Sequence, residues 1–292
     1  MRDFSQNHDW LSINTATIRK QSGIEVPLDR IIDQCAKRGI RAISPWRDQV
    51  AAVGLDKIAK QLKAHGIGLS GYCRGGFFPA PDAPGLKAAL DDNRRAIDEA
   101  KTLEAPCLVL VVGALPGALD GKAAYKDITR ARNEVRDGIA ASLDYAREVG
   151  MPLAIEPLHP MQAADRACIN TLEHALDICD ELDADKSGML GVALDIYHVW
   201  WDPKLQQQIA RAGRERLLAY HVCDWLTPTR DLLSDRGMMG DGVVELKKIR
   251  GWVEEAGFAG FSEVEIFSNL DWSQRSGDET LDVCIARHKQ AV

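Results

Sequence analysis

Residues 107–156 read "CLVLVVGALPGALDGKAAYKDITRARNEVRDGIAASLDYAREVGMPLAIE". The stretch opens on a continuous apolar run, "CLVLVVG" (107–113). A strand with one wet face alternates apolar and polar residues; an unbroken run marks a strand covered on both faces. An amphipathic helix is predicted over 122–149 and stops at Gly150, and "PLAIE" (152–156) begins a second strand. Strand, helix, strand is the unit from which parallel sheets are built.

The same alternation extends in both directions. Upstream lie "WLSIN" (10–14), "IRAIS" (40–44) and "IGLSGYC" (67–73), followed by helical patterns near 27–38, 50–65 and 84–104. Downstream, helices near 171–182, 203–214, 244–256 and 278–290 separate and follow "GVALD" (191–195), "LLAYH" (217–221) and "FSEVEIF" (261–267). Eight strand–helix pairs predict a (β/α)8 TIM barrel, one domain over 1–292. An open doubly wound sheet would carry a Gly-rich phosphate turn after its first strand, and "INTATIRK" (13–20) is not one.

Composition narrows the function classes. The chain is 46% hydrophobic and 27% charged, with a net charge of −7. An acidic balance without a basic stripe argues against a nucleic-acid partner. No apolar run approaches the roughly 20 residues that span a bilayer, and "MRDFSQNHDW" lacks an apolar signal core. The cysteines Cys35, Cys73, Cys107, Cys168, Cys179, Cys223 and Cys284 are scattered, with no C-x-x-C. This is the pattern of free thiols in a reducing compartment. The expectation is a cytoplasmic protein with neither membrane nor nucleic-acid partner.

Four strand ends carry the chemistry. The fifth residues of "PLAIE", "GVALD", "LLAYH" and "FSEVE" are Glu156, Asp195, His221 and Glu265. Two positions earlier, on the same face, stand Ala154, Ala193, Ala219 and Glu263. Small residues thus point into the barrel, and a potential ligand stands above them at the C-terminal mouth, where barrels keep their sites. Three carboxylates converging there would repel one another without a cation. One divalent metal removes the problem. Three oxygen donors to one nitrogen favour Mn²⁺ ahead of Co²⁺ or Mg²⁺, with Zn²⁺ the remaining choice. Glu263, one layer deeper, is excluded as a ligand.

Residues just beyond the strands complete the expected site. His159, three residues past Glu156, is a candidate general base because a metal-bound carboxylate is weakly basic. His198 and Asp224 each follow a ligand by three residues and suit ligand-orienting or substrate-hydroxyl roles; capping and loop bonding compete. Arg236, in "DRGMMGDG" (235–242), could neutralise developing negative charge. Trp46, Phe77, Phe78, Trp200, Trp201, Trp225 and Trp272 fall shortly after strands, where aromatic faces suit a sugar ring and packing competes; Trp200 and Phe78 are chosen as substrate contacts.

At these residues the chain resembles the xylose-isomerase-like TIM barrels, specifically their sugar phosphate isomerase/epimerase group. The resemblance rests on "SINTAT" (12–17), "GYCRGGFFPA" (71–80), "IEPLHP" (155–160), "ALDIYHVWW" (193–201), "YHVCDW" (220–225), "DRGMMGDG" (235–242) and "EVEIF" (263–267). It implies the same four metal ligands, with Glu156 and Glu265 as an acid/base pair. The implied activity is isomerisation or epimerisation by α-proton transfer through an enediolate of a keto-sugar or keto-cyclitol. A lyase or dehydratase acting by β-elimination on 3-keto-glycosides, C-glycosides included, or on inosose is the alternative. The endonuclease IV branch would need a richer histidine cluster and a basic surface. A non-enzymatic sugar-binding relative would be expected to lose the metal set. The expected partner is therefore a small sugar or cyclitol, and a homo-oligomer or a small partner subunit stays open. No phosphate cradle is evident in the sequence.

Overall fold

A computed structural model describes residues 2–292. The strands are β1 (Leu11–Asn14), β2 (Ala42–Ser44), β3 (Gly68–Leu69 and Tyr72–Gly76), β4 (Leu108–Val111), β5 (Leu153–Ile155), β6 (Leu190–Asp195), β7 (Leu217–Val222) and β8 (Ser262–Val264). All pairings among them are parallel. The sheet begins on the first piece of β3, runs through β2, β1, β8, β7, β6, β5 and β4, and ends on the second piece of β3. Its two ends are one strand, so the sheet closes on itself.

The helices are α1 (Leu28–Lys37), α2 (Arg47–Val53), α3 (Leu55–His65), α4 (Ala83–Thr102), α5 (Ile128–Val149), α6 (Leu172–Leu182), α7 (Ile196–Val199), α8 (Leu205–Arg216), α9 (Leu246–Glu255) and α10 (Gly277–Ala291). Two predicted helices differ. The one expected over 50–65 is broken at Gly54, whose φ of 109° no helix accommodates. The one expected from 122 begins at Ile128, because the Asp127 carboxylate accepts the Thr129 and Arg130 N–H groups and caps it there.

The layers follow from side-chain alternation. Leu153, Ile155, Val192 and Leu194 belong to the main core, while Cys73, Cys107, Val109, Ala154, Ala193 and Ala219 form a separate cluster inside the barrel. Those small residues leave space in the barrel for buried polar groups. No helix among the described residues is long and apolar enough to cross a membrane.

Candidate metal centre

The register of the last strands brings the expected ligands together. His221 lies beside Asp195 across the β6–β7 pair and beside Glu263 across β7–β8. Ligand atoms of Glu156, Asp195, His221 and Glu265 all fall within 4.8 Å of one another, and all four residues are buried. His221 Nδ1 is 3.2 Å from Glu156 Oε1 and 3.6 Å from Glu265 Oε2. Its Nε2 turns down toward Glu263 Oε1, 3.5 Å away.

This donor set fits a divalent cation. Glu156 Oε1 and His221 Nδ1 are buried with no hydrogen-bond partner, a costly state unless an electrophile sits between them. The local field also asks for positive charge. Burial works against a charged His221, yet Glu263, Glu156 and Glu265 hold its imidazole well above the ordinary range. Burial raises Glu265 to about 7 against the opposing pull of Arg236 and His221. Asp195 is held low: burial opposes ionisation, but Arg236 and then His198 outweigh it.

The floor beneath the ligands was not foreseen as a unit. Glu263 is 1% exposed. It accepts hydrogen bonds from Asn14 Nδ2 at 2.8 Å and Ser70 Oγ at 2.7 Å, and Ser12 Oγ lies 2.6 Å from Ser70 Oγ. A ligand histidine backed by a carboxylate is held in one orientation and one tautomer. Asn14 Oδ1 in turn accepts from Trp46 Nε1 at 2.7 Å.

Arg236 and His198 form the rim. Arg236 Nη1 donates to Asp195 Oδ2 at 2.8 Å and to Glu265 Oε2 at 3.1 Å. Asp195 uses its other oxygen to cap α7, accepting from Tyr197 N–H at 2.9 Å. Burial lowers His198 to about 3, so the ring is neutral. Its Nδ1 faces the His159 N–H at 3.1 Å, and its other nitrogen, Nε2, turns to the rim. That nitrogen is 3.6 Å from Asp195 Oδ2 and 3.1 Å from Arg236 Nη2.

Above the floor opens a cavity of about 670 Å³, counting its mouth. Glu156 and Glu265 line it, as do His198 and Arg236, whereas Asp195 and His221 lie behind. Trp46, Phe77 and Phe267 give it an aromatic wall, and Arg74 enters from β3 and Arg166 from the turn after β5.

Four expected residues stand elsewhere. Phe78 is fully buried against α5, where a Cβ added to Gly138 would meet its ring at 2.4 Å. Phe77 faces the cavity in its place. The reason is an irregularity in β3: its pairing with β4 shifts between Cys73 and Gly75, and Gly76 and Phe77 have positive φ. Simple alternation therefore fails beyond Cys73. Trp200 is half-buried against Trp225, with ring centroids 5.8 Å apart, and does not line the cavity. The His159 ring stacks on Trp225 at 4.9 Å and its Nδ1 accepts from Met161 N–H. It too lies outside the cavity lining, and its backbone is what positions His198. Asp224 accepts from the N–H groups of Trp225, Gly240 and Val244. It fastens the loop in which Arg236 pairs with Trp225 and does not line the cavity. Arg74, Arg166 and Phe267 were missed; "CRGGFF" (73–78) held the signal for Arg74.

Comparison with known proteins agrees with this architecture. The model of the xylose isomerase-like TIM barrel family matches residues 32–282. An inosose isomerase of Bacillus velezensis is 23% identical over 286 residues, spanning 93% of this chain and 92% of that protein. The crystal structure of protein SMc04130 from Sinorhizobium meliloti superposes with a TM-score of 0.91 at 56% identity, over 97% of this chain and 98% of that one. The IOLI protein, solved with a bound zinc atom, gives a TM-score of 0.78 at 21% identity, over 95% of each chain. The chain belongs to the xylose isomerase-like TIM barrel family.

Proposed function

We propose that this protein is a divalent-metal-dependent isomerase or epimerase that moves a proton beside the carbonyl of a keto-sugar or keto-cyclitol. One observation carries the reading. Of the four converging donors, only Glu156 and Glu265 also border the cavity. Two carboxylates are thereby offered to a substrate, while Asp195 and His221 are reserved for the ion. The inosose isomerase relative and the zinc in the IOLI structure support the same assignment.

When bound by Glu156, Asp195, His221 and Glu265, a divalent ion would polarise a substrate carbonyl and acidify the adjacent C–H. Glu156 and Glu265 come from β5 and β8, three strands apart in the sheet. In this reading one of them takes the α-proton from one face and the other delivers a proton to the opposite face. Arg236 offers positive charge at the Glu265 side, and neutral His198 lies against it, 3.1 Å from Nη2. His159 faces Trp225, so a histidine base for β-elimination has no support from its position. Three oxygen donors keep Mn²⁺ as the preferred ion, with Zn²⁺ its main rival.

The test is α-proton exchange in D₂O, read by NMR, on keto-sugars, keto-inositols and 3-keto-glycosides, with Mn²⁺- and Zn²⁺-loaded protein. Deuterium should enter the α position without loss of a substituent, and Asp195→Asn should lose both the metal and the exchange. Release of water or an aglycone would instead make the protein a lyase. No exchange with any substrate in fully loaded protein would end the proposal.

A further inference from the structure

The wall of the cavity carries charge that the metal centre does not need. At the floor, the charges of Glu156, Asp195 and Glu265 would be matched by one divalent ion and the Arg236 guanidinium, which contacts two of the three carboxylates, and Glu263 below them is held by Asn14 and Ser70. Higher up, Arg74 and Arg166 line the same cavity. Among the described residues neither guanidinium has a hydrogen bond or an ion pair with a carboxylate.

The neighbouring arginines show how unusual this is. Beyond Arg74 the cleft continues past Arg19 and Arg47. Arg19 is paired with Asp48 at 2.5 Å, and Arg47 with Asp92 at 2.8 Å and Glu99 at 2.7 Å. Arg74 is instead packed over the Phe77 ring, 4.1 Å from its centroid, and lies 5.9 Å from that of Trp46. Burial, and the Arg166 cation near it, bring Arg74 below the usual guanidinium range. Two like charges in a half-buried cavity cost stability that a bound anion would recover. The aromatic contact fixes the Arg74 plane, so a forked donor is already oriented for an oxyanion.

We infer that the substrate is an acidic sugar or cyclitol, one carrying a carboxylate or phosphate group that Arg74 and Arg166 bind while its keto end meets Glu156 and Glu265. The inference rests on the reading of the floor as the reacting end. It adds that recognition occurs at an anionic group remote from the carbonyl.

The experiment is calorimetric binding to the metal-loaded protein at constant ionic strength, with D-glucuronate, D-glucose 6-phosphate and D-glucose as probes. At least one anionic probe should bind about tenfold or more tightly than glucose, and the stronger of the two identifies carboxylate or phosphate as the partner. Arg74→Gln and Arg166→Gln should each erase most of that preference while keeping the metal content and far-UV circular dichroism of the wild type. Because an anion could contact the metal directly, the double variant decides the source of the preference. A preference that survives in it, or equal binding of all three probes, overturns the inference. α-Proton exchange fails or succeeds separately: anion preference without exchange would sink the isomerase reading and leave this site standing.

Discussion

Replacing Glu263 should weaken metal binding without touching a ligand. Its carboxylate accepts from Asn14 at 2.8 Å and Ser70 at 2.7 Å and lies 3.5 Å from His221 Nε2. In Glu263→Gln, the amide oxygen can stay toward Asn14 and His221 while the NH₂ group turns to Ser70. Ser70 can then accept, because its hydroxyl and that of Ser12, 2.6 Å apart, can exchange donor roles. The fold should therefore survive with a loss of about 1 kcal/mol. The group 3.5 Å behind His221 Nε2 loses its charge, and with it the electrostatic pull that orients the ring. Loss of such an outer partner lowers metal affinity about 10- to 100-fold, or about 1.4–2.7 kcal/mol. Glu263→Ala would remove the two hydrogen bonds that Asn14 and Ser70 make to it, at about 1–3 kcal/mol for each group left unpaired. Chelator competition gives the affinity, and melting with and without metal gives the stabilisation, each kcal/mol being worth about 2–4 °C. A Glu263→Gln protein with wild-type affinity and an undiminished metal-induced rise in Tm would refute the orienting role.

Two further predictions concern stability. His288 is fully buried, stacked on Phe4 at 4.5 Å, and burial lowers its pKa to about 3. Between pH 6.5 and that value the unfolded chain binds a proton that the folded protein refuses, so stability falls on acidification by about 1.4 kcal/mol per pH unit. His288→Phe should remove that share of the slope in urea titrations; an unchanged slope would exclude His288 as its source. Gly138→Ala would set a Cβ 2.4 Å from Phe78 Cδ1 and should cost about 1–3 kcal/mol, a penalty that shrinks in a Phe78→Leu background. Wild-type stability in Gly138→Ala would show that the α5–β3 contact is looser than described.

Much of this was readable from the sequence because buried parallel strands leave few alternatives. Apolar runs ending in Glu156, Asp195 and His221 marked both the strand and its polar tip, and one period of alternation was enough to align them. Legibility stopped where backbone geometry broke the period. The irregularity between Cys73 and Gly75 exchanged Phe78 for Phe77, and Gly54 divided a helix whose apolar pattern runs on through it. It also stopped where partners are remote. Glu263 could be seen to face inward, but Asn14 and Ser70 lie 249 and 193 residues away in sequence. His159, Trp200 and Asp224 follow strands closely and so looked equivalent to His198. Their directions are set by Trp225 and by the loop through Gly240 and Val244, about which local spacing says nothing.

The order of strands around the barrel has a consequence for how specificity can diverge. Every donor of the candidate centre comes from the ends of β5 to β8, in the second half of the chain, whereas Trp46, Arg74 and Phe77, though not Arg166 and Phe267, enter the cavity from the first. Drift in the first half can thus alter part of the cavity wall and leave the four candidate ligands in register. Asn14 and Ser70 are the exception, for they reach from the first half to the carboxylate under His221. Substrate preference is free to wander among relatives only as far as those two residues allow.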